Sequence, residues 1–195
     1  MLPTRLSRVA VVVFAVLAVA CGDPTRAKAT YANSLASYTL FALTGTPAVA
    51  PNALNFFGGS TRATASFTFD IALDIDATGK VVVYPVRALA GALAGTLKRV
   101  GLQTVSGAFD AVREVPATGY DTVSVRTITP GTVLAVELRD QSYCYSAISL
   151  VSSQLLYAKF VVDSVNQASR KLFTRVVVDP NCGYRMVVPD SVPTN

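Results

Sequence analysis

Residues 63–76, ATASFTFDIALDID, decide the fold class of this chain. From Ala63 to Ile75 every odd-numbered position is apolar, and the even-numbered positions up to Asp76 are polar except for Ala72. A period of two places successive side chains on opposite faces of a β-strand. The stretch therefore predicts one long strand with one face in the core and the other face in water.

The residues after this stretch predict a β-hairpin. Asp76-Ala77-Thr78-Gly79 supplies turn residues, and residues 81–86 return as an apolar strand. Asp74, Asp76 and Gly79 also match the first, third and sixth positions of an EF-hand calcium loop. Pro85 stands at the twelfth position, where that loop needs a bidentate Glu, so a solvated hairpin turn is the expectation and no metal site is predicted.

Composition and the remaining pattern extend the β prediction to the whole chain. Apolar residues make up 51% and charged residues 15%, and glutamate occurs only at Glu114 and Glu137. Alternating or apolar runs predict strands at residues 35–44, 121–129, 132–139, 155–165 and 171–179, with a further short edge strand at Val187-Val188. The fold class predicted is all-β, an antiparallel β-sandwich or barrel with at most one or two short helices.

Residues 87–100 are ambiguous. Leu89, Leu93 and Leu97 recur every four residues, which suits one face of a helix, while Gly91 and Gly95 weaken a helix. A short buried helix or an irregular strand is expected there, and residues 101–119 are expected to be turns with one helical turn.

The N-terminal residues have the pattern of an export signal. Arg5 and Arg8 precede twelve apolar residues, 9–20, and Cys21 follows directly. As a helix these twelve residues reach ~18 Å, short of the ~30 Å hydrocarbon core. A basic start, a short apolar run and small residues at the cut are typical of an export signal.

With the cysteine directly after Ala20, this segment resembles a bacterial lipoprotein signal. The resemblance implies a signal peptide over residues 1–20 and lipidation of Cys21. The short polar stretch that follows predicts a tether over residues 21–34, and the length and strand pattern predict a single β-rich domain over residues 35–195.

The resemblance also implies a location in the bacterial cell envelope, anchored to the membrane through acyl chains and extracytoplasmic. In Gram-negative lipoproteins, Asp directly after the acylated cysteine favours retention in the inner membrane. Gly22 holds that position here and Asp comes at Asp23, so the resemblance implies the outer membrane.

The number of cysteines predicts a disulfide, and the distribution of charge argues against a nucleic-acid partner. With Cys21 assigned to lipid, Cys144 and Cys182 remain as a pair for a disulfide in an oxidising compartment. Loss of Arg5 and Arg8 with the signal reduces the formal net charge from +5 to +3, and the remaining charges are scattered. Nucleic-acid binding needs a basic stripe, so no nucleic-acid partner is expected.

The chain contains no histidine, which removes Ser-His-Asp and Cys-His catalysis and the commonest zinc sites. No catalytic residue and no cofactor are therefore predicted. A possible binding surface consists of Tyr143, Tyr145, Tyr184 and Arg185 near the disulfide, although packing around the bridge is the commoner role of such residues.

The function predicted is an exported, lipid-anchored envelope protein that acts as a non-enzymatic binding or structural module, with an envelope protein as partner. The alternative is a carboxylate-dependent envelope hydrolase acting on glycan or peptide. That alternative would use two residues from the set Asp110, Glu114, Glu137 and Asp140. A third alternative, a barrel that carries a lipophilic ligand, requires a hollow apolar interior.

Overall fold

A computed structural model describes residues 28–139, 144 and 155–194. The described residues form ten β-strands and two short helical segments. In chain order these are β1 (Ser34–Phe41), β2 (Ala53–Asn55), β3 (Gly59–Thr61), β4 (Ile71–Ile75), β5 (Val81–Pro85), α1 (Val86–Leu89), a 3-10 helix (Gly91–Thr96), β6 (Arg99–Val105), β7 (Arg126–Ile128), β8 (Val133–Arg139), β9 (Leu155–Asn166) and β10 (Lys171–Asp179). None of the helices in the described ranges is long and apolar enough to cross a bilayer.

The strands form two antiparallel sheets, so the all-β prediction is confirmed in its sandwich form. The long-stranded sheet has the order β1–β10–β9–β8–β6, and the short-stranded sheet has the order β3–β2–β4–β5–β7. Apolar side chains from both sheets form the central core. Phe56 beside the short-stranded sheet meets Phe160 of β9 edge to face, with ring centroids 6.4 Å apart.

A second apolar layer covers the outer face of the long-stranded sheet. Phe109, Val112 and Val115, in the connection between β6 and β7, and Val187, after β10, pack on that face. Strands β8 to β10 are consequently buried on both faces along most of their length. This double burial explains why apolar runs replace strict alternation in those strands.

One end of the sandwich gathers the terminal residues of several strands. At this end β1 begins at Ser34, β6 begins at Arg99 and β8 ends at Arg139. Arg99 is the register partner of Arg139, and Arg139 is the partner of Leu155 at the start of β9. We call this end the entry end, because the chain enters the sandwich here.

The strand predicted over residues 63–75 is wrong in length and in exposure, although its hairpin with β5 is confirmed. Only Ile71–Ile75 is strand, and all five of its residues are buried. The chain turns before it, where the Phe67 amide donates to the Thr64 carbonyl at 3.0 Å. Asp70 and Asp74 are 1% and 8% exposed because they have internal partners, so the polar face is not solvated.

Residues 87–105 correct two further predictions. The expected buried helix is the single turn α1 followed by the 3-10 helix, of which no residue is buried. Leu89 and Leu97 pack against the core, whereas Leu93 is 54% exposed. Glycine at residue 91, with a φ of 53°, ends the first turn, and β6 then forms where turns were expected.

Two predicted strands are short or absent. Only β7 remains of residues 121–129, because the Asp121 side chain accepts hydrogen bonds from the Val123 and Ser124 amides and forms a turn. Val187-Val188 forms no edge strand. The neighbouring Met186 makes an isolated bridge to Glu114, and the Val187 amide donates to the Arg113 carbonyl at 2.8 Å.

Candidate functional site

Cys144 and Cys182 form the predicted disulfide, with their Cα atoms 5.8 Å apart. Cys144 is buried, and Cys182 packs against the central core. The Gly183 amide donates to the carbonyl of Leu155, the first residue of β9, at 2.7 Å. The bridge therefore lies at the entry end of the sandwich.

The predicted aromatic surface near the disulfide is only partly described. Tyr143 and Tyr145 lie outside the described residues. Tyr184 is 7% exposed, so its ring is packed inside and does not belong to an exposed surface. Arg185 donates to the Val115 carbonyl at 3.0 Å and pairs with Glu114 at 2.5 Å.

Tyr184 is buried because the incoming chain covers it. Its hydroxyl oxygen accepts a hydrogen bond from the Ala29 amide at 3.2 Å. The Asn181 side chain accepts from the Thr30 and Tyr31 amides and donates to the Tyr31 carbonyl. Part of the segment predicted as a tether is thus fixed to the domain, and residues 21–27 lie outside the described part of the chain.

Asn33 completes this attachment. Its side-chain amide donates to the carbonyls of Met186 and Val188, at 2.6 and 3.1 Å. Its backbone amide donates to the Ser191 carbonyl, and its carbonyl accepts from Asp190. The N-terminal segment and the C-terminal segment therefore hold each other at the entry end, and Asn33 is 1% exposed.

The entry end carries positive charge. Arg99 and Arg139 are exposed register partners on neighbouring strands. Like charges directly opposite each other destabilise a sheet, and neither guanidinium has an ion pair among residues 28–139, 144 and 155–194. Lys98 adds a third cation, and its ammonium pairs with the buried Asp70 carboxylate at 2.6 Å.

Glu137, Tyr157 and Tyr120 form a partly buried cluster beside these cations, on the outer face of the long-stranded sheet. Burial raises the pKa of Glu137, and the Tyr157 hydroxyl and the two arginines partly oppose that rise. Burial and the Glu137 charge raise the pKa of Tyr157 to about 12. The Tyr157 hydroxyl donates to Glu137 at 3.4 Å, and the Tyr120 ring lies 6.1 Å from the Tyr157 ring.

The carboxylates weighed for hydrolysis are not brought together. Asp110 pairs with Arg175, Glu114 pairs with Arg185, and Glu137 accepts from the Tyr157 hydroxyl. Asp140 lies outside the described residues. Inverting and retaining glycosidases need two carboxylates across one cleft, and the described residues show no such pair in this set.

The calcium-loop alternative is not supported either. Asp74 turns inward to Thr44 and Arg170, whereas Asp76 accepts from the amides of Thr78 and Lys80 within its own turn. The two carboxylates therefore serve different partners. Throughout the described ranges, no group of three or more Cys, Asp or Glu side chains could hold a metal ion.

The cavities among the described residues include three that bear on the hydrolase alternative. The largest of these three is an open groove of about 610 Å³ beside Val105, Arg113, Glu114 and Arg185. A second, of about 220 Å³, lies over Tyr38, Phe173 and Arg175. The third, of about 60 Å³, lies at the entry end. Each is lined by one carboxylate residue, so none presents a catalytic pair.

The small cavity lies between the two sheets. On one side it is lined by Asn55 of β2, Phe57 in the turn after β2 and Asp70 directly before β4. On the other side it is lined by Arg99, Leu138, Arg139 and Leu156 of the long-stranded sheet, with Lys98 just before β6. Sequence reasoning missed these cations as a group, because Arg99 falls within residues 87–100, whose pattern is ambiguous. The pairing of Arg99 with Arg139 becomes visible only when β6 is recognised.

Fold and site together define an antiparallel β-sandwich with one disulfide-bonded, positively charged end into which the chain enters. No protein-family model, no curated protein and no solved structure matches the chain.

Proposed function

We propose that the chain is an exported, lipid-anchored protein of the bacterial cell envelope whose β-sandwich acts as a non-enzymatic binding or structural module. The signal over residues 1–20 directs export, and Cys21 carries the acyl chains. We place the anchor in the outer membrane, because the residue directly after Cys21 is Gly22 and Asp comes only at Asp23. An envelope protein is the partner proposed for the module.

The pairing of two of the three cysteines is the observation that carries this proposal. Cys144 and Cys182 are joined to each other, so Cys21 is the one cysteine outside the bridge. A spare thiol in an oxidising compartment is prone to oxidation or to mispairing. Acylation of Cys21 removes that thiol, which supports its assignment as the lipid anchor.

The path of the chain supports the same assignment. The described structure begins at Lys28, beside the entry end, seven positions after Cys21. Seven residues reach at most ~25 Å even when fully extended. An acylated Cys21 would therefore hold the entry end close to the membrane and present the opposite end, with the β4–β5 and β9–β10 turns, to the envelope.

The non-enzymatic part of the proposal is supported by how the acidic residues are used. Asp70, Asp74, Asp110 and Glu114 are each in an ion pair, and each of the three cavities has one carboxylate residue in its lining. A hydrolase of the carboxylate type needs two such groups free to face one substrate. The surface is better suited to binding another molecule than to transforming it.

In vivo crosslinking of the full-length protein, followed by mass spectrometry of the detergent-solubilised complexes, tests this function. We expect a discrete envelope protein in the crosslinked species, and we expect it to be lost in the Cys21→Ser variant. A Ser37→Ala variant, altered at an exposed position inside the domain, serves as the control and should retain the partner. Recovery of no partner by the wild-type protein would contradict the binding module.

A further inference from the structure

We propose that the entry end is a second, peripheral membrane contact, which seats the sandwich on the surface of a bilayer that contains anionic lipid. This inference rests on the proposed function, because the acyl chains of Cys21 would supply that bilayer. It goes beyond the anchor in assigning a lipid-binding surface to the folded domain itself. We call this surface the docking surface, and it consists of Tyr31, Leu93, Lys98, Arg99 and Arg139.

The 3-10 helix Gly91–Thr96 supplies the apolar part of the docking surface. None of its residues is buried, and the Leu93 side chain at its centre is 54% exposed. A methyl group added at Gly91 or Gly95 would meet nothing within 4 Å, so the turn stands clear of the rest of the domain. A leucine presented in this way is placed to enter the boundary between headgroups and acyl chains.

The base of this turn is held in place. The Arg87 side chain donates to the Leu97 carbonyl at 3.1 Å and to the Lys98 carbonyl at 3.2 Å. Within the turn, the Thr96 hydroxyl donates to the Leu93 carbonyl at 2.8 Å. Docking would therefore cost little ordering entropy, because the exposed tip is already fixed.

Positive charge lies next to the apolar tip. Arg99 and Arg139 are exposed, opposite each other and without an ion pair among the described residues. Anionic headgroups would relieve their mutual repulsion, since basic residues close to an anionic surface gain free energy from it. Lys98 lies directly before Arg99 and pairs with Asp70. Within the described ranges the two arginines form no such ion pair, although both act at a distance on the partly buried Glu137 carboxyl.

The position of the incoming chain selects a bilayer as the occupant. Tyr31, which is 66% exposed, lies at the same end of the sandwich, and tyrosine is enriched at membrane interfaces. The edge strands β1 and β6 are four strand spacings apart, ~19 Å at about 4.8 Å each. The seven positions from Cys21 to Lys28 reach ~25 Å, so acyl insertion and docking can occur together.

Because the chain contains no tryptophan, one introduced tryptophan reports on its own site. The test uses the full-length, acylated Leu93→Trp variant in vesicles of phosphatidylethanolamine with a minority of phosphatidylglycerol. We expect a blue-shifted emission and strong quenching by brominated lipid. The matched control is Val49→Trp, in the loop after β1 at the opposite end, where the side chain is 78% exposed and emission should stay unquenched.

Charge variants test the electrostatic part. Replacing both arginines, with Arg99→Gln and Arg139→Gln in the Leu93→Trp background, should lower the ratio of docked to undocked protein by about fivefold for each arginine. The control carries Arg62→Gln and Lys80→Gln, which remove equal charge at exposed positions away from the entry end. It should leave the ratio within about twofold of the parent.

Flotation of the vesicles separates this inference from the proposed function. Protein that floats with the vesicles while the tryptophan of Leu93→Trp stays solvent-exposed would overturn the docking surface and leave the anchor intact. Protein that does not float at all would overturn the anchor. A blue shift without quenching by brominated lipid would mean that protein covers Leu93, and it would also overturn the docking surface.

Discussion

Arg170, in the turn between β9 and β10, holds a φ of 51° that a side chain rarely adopts. The guanidinium reaches the Asp74 carboxylate at 2.9 Å and the carbonyls of Thr44 and Ile75 at 2.7 and 2.9 Å. Asp74 is 8% exposed and also accepts from the Thr44 hydroxyl. The strained backbone is thus tolerated because one side chain joins β4 to the β9–β10 turn.

An Arg170→Gly variant should be less stable even though glycine suits the backbone conformation. Relief of the positive φ recovers about 1 kcal/mol, but loss of the cation leaves a largely buried carboxylate without its partner, which costs about 3 kcal/mol. The entropy that glycine adds to the unfolded chain offsets that relief, so we expect a net loss of about 3 kcal/mol in the free energy of unfolding, measured in urea.

Asp190→Gly is the matched control, because Asp190 has a φ of 54° and an exposed side chain. It shares the gain from the relieved backbone and the entropy that any glycine adds to the unfolded chain. The two effects oppose each other, so its change in stability should stay within about 1 kcal/mol. Equal changes in the two variants would refute the role given to the Arg170 side chain.

Glu137 should make stability depend on pH. Burial raises its pKa, so the folded protein holds this proton more tightly than the unfolded chain does. The stabilisation is complete below the ordinary glutamate pKa of 4.5 and is lost as pH rises through the raised folded value. Glu137→Gln should therefore raise the free energy of unfolding at pH 7 relative to the wild type, and the advantage should disappear at low pH.

Glu114→Gln is the natural comparison, since these are the two glutamates of the chain. Glu114 is half exposed and paired with Arg185, so its replacement should lower stability at pH 7 by less than about 1 kcal/mol. The measurement is the free energy of unfolding of both variants in urea, from about pH 3 to about pH 8. This range covers the protonated and the charged state of a glutamate side chain. A destabilised Glu137→Gln variant at pH 7 would contradict the assigned cost of burial.

At the scale of single elements, one buried lysine organises the connection between β6 and β7. Lys159 of β9 is 1% exposed, and its ammonium donates to the Phe109 and Val112 carbonyls, both at 2.7 Å. The same ammonium lies 4.6 Å from the centroid of the Phe109 ring. Burial lowers the pKa of Lys159, while the charge of Asp110 opposes that effect.

Lys159→Met should release this connection from the sheet. Methionine fills similar space but donates no hydrogen bond, so two carbonyls lose their partner at a net cost of about 1–3 kcal/mol. Amide exchange at Ala111 and Val112 should become faster, while exchange within β9 changes less. Lys171→Met, at a less buried lysine on β10, should change stability by about 0.5 kcal/mol or less. Unchanged exchange at Val112 would contradict this role.

The predictability of the elements follows from how local their determinants are. The β4–β5 and β9–β10 hairpins were predicted because turn residues and flanking apolar residues lie next to each other in sequence. The extent of β4 was not predicted correctly, because the burial of Asp70 depends on Lys98, a residue 28 positions away. β6 was missed since its glycine and polar residues gain strand structure from pairing with β8.

The candidate site follows the same rule. The disulfide was predicted from the number of cysteines, which needs no geometry. The exposure expected for Tyr184 was wrong, because the N-terminal segment that covers it is distant in sequence and has no periodic pattern of its own. Leu93 was expected to be buried from its spacing with Leu89 and Leu97, and only the 3-10 geometry shows that it points outward.

At the scale of the whole molecule, the disulfide closes the end at which both chain segments meet. Cys144 and Cys182 are 38 positions apart. On the loop-entropy model a bridge of this span stabilises the fold by up to about 4 kcal/mol. Reduction should lower the free energy of unfolding by up to that amount, measured in urea with and without reductant. Reductant should leave the Cys144→Ser, Cys182→Ser double variant unchanged, and an equal effect on both proteins would exclude the bridge as its cause.

The same end brings together the incoming chain, the bridge and the exposed arginines Arg99 and Arg139. A molecule anchored there would stand on the membrane and present its other end, with the β4–β5 turn around Asp76 and the β9–β10 turn around Arg170. Orientation would then be a property of the whole chain, because it needs the acyl group at Cys21 and the attachment of the segment at Asn33.

The most direct measurement is the intact mass of the full-length gene product, purified from the membranes of a bacterial host that has lipoprotein processing enzymes. We expect a chain that begins at Cys21, carries the mass of covalent acyl chains on that residue, and retains one disulfide. A chain that retains residues 1–20, or one that begins elsewhere with a free Cys21 thiol, would contradict the lipid anchor.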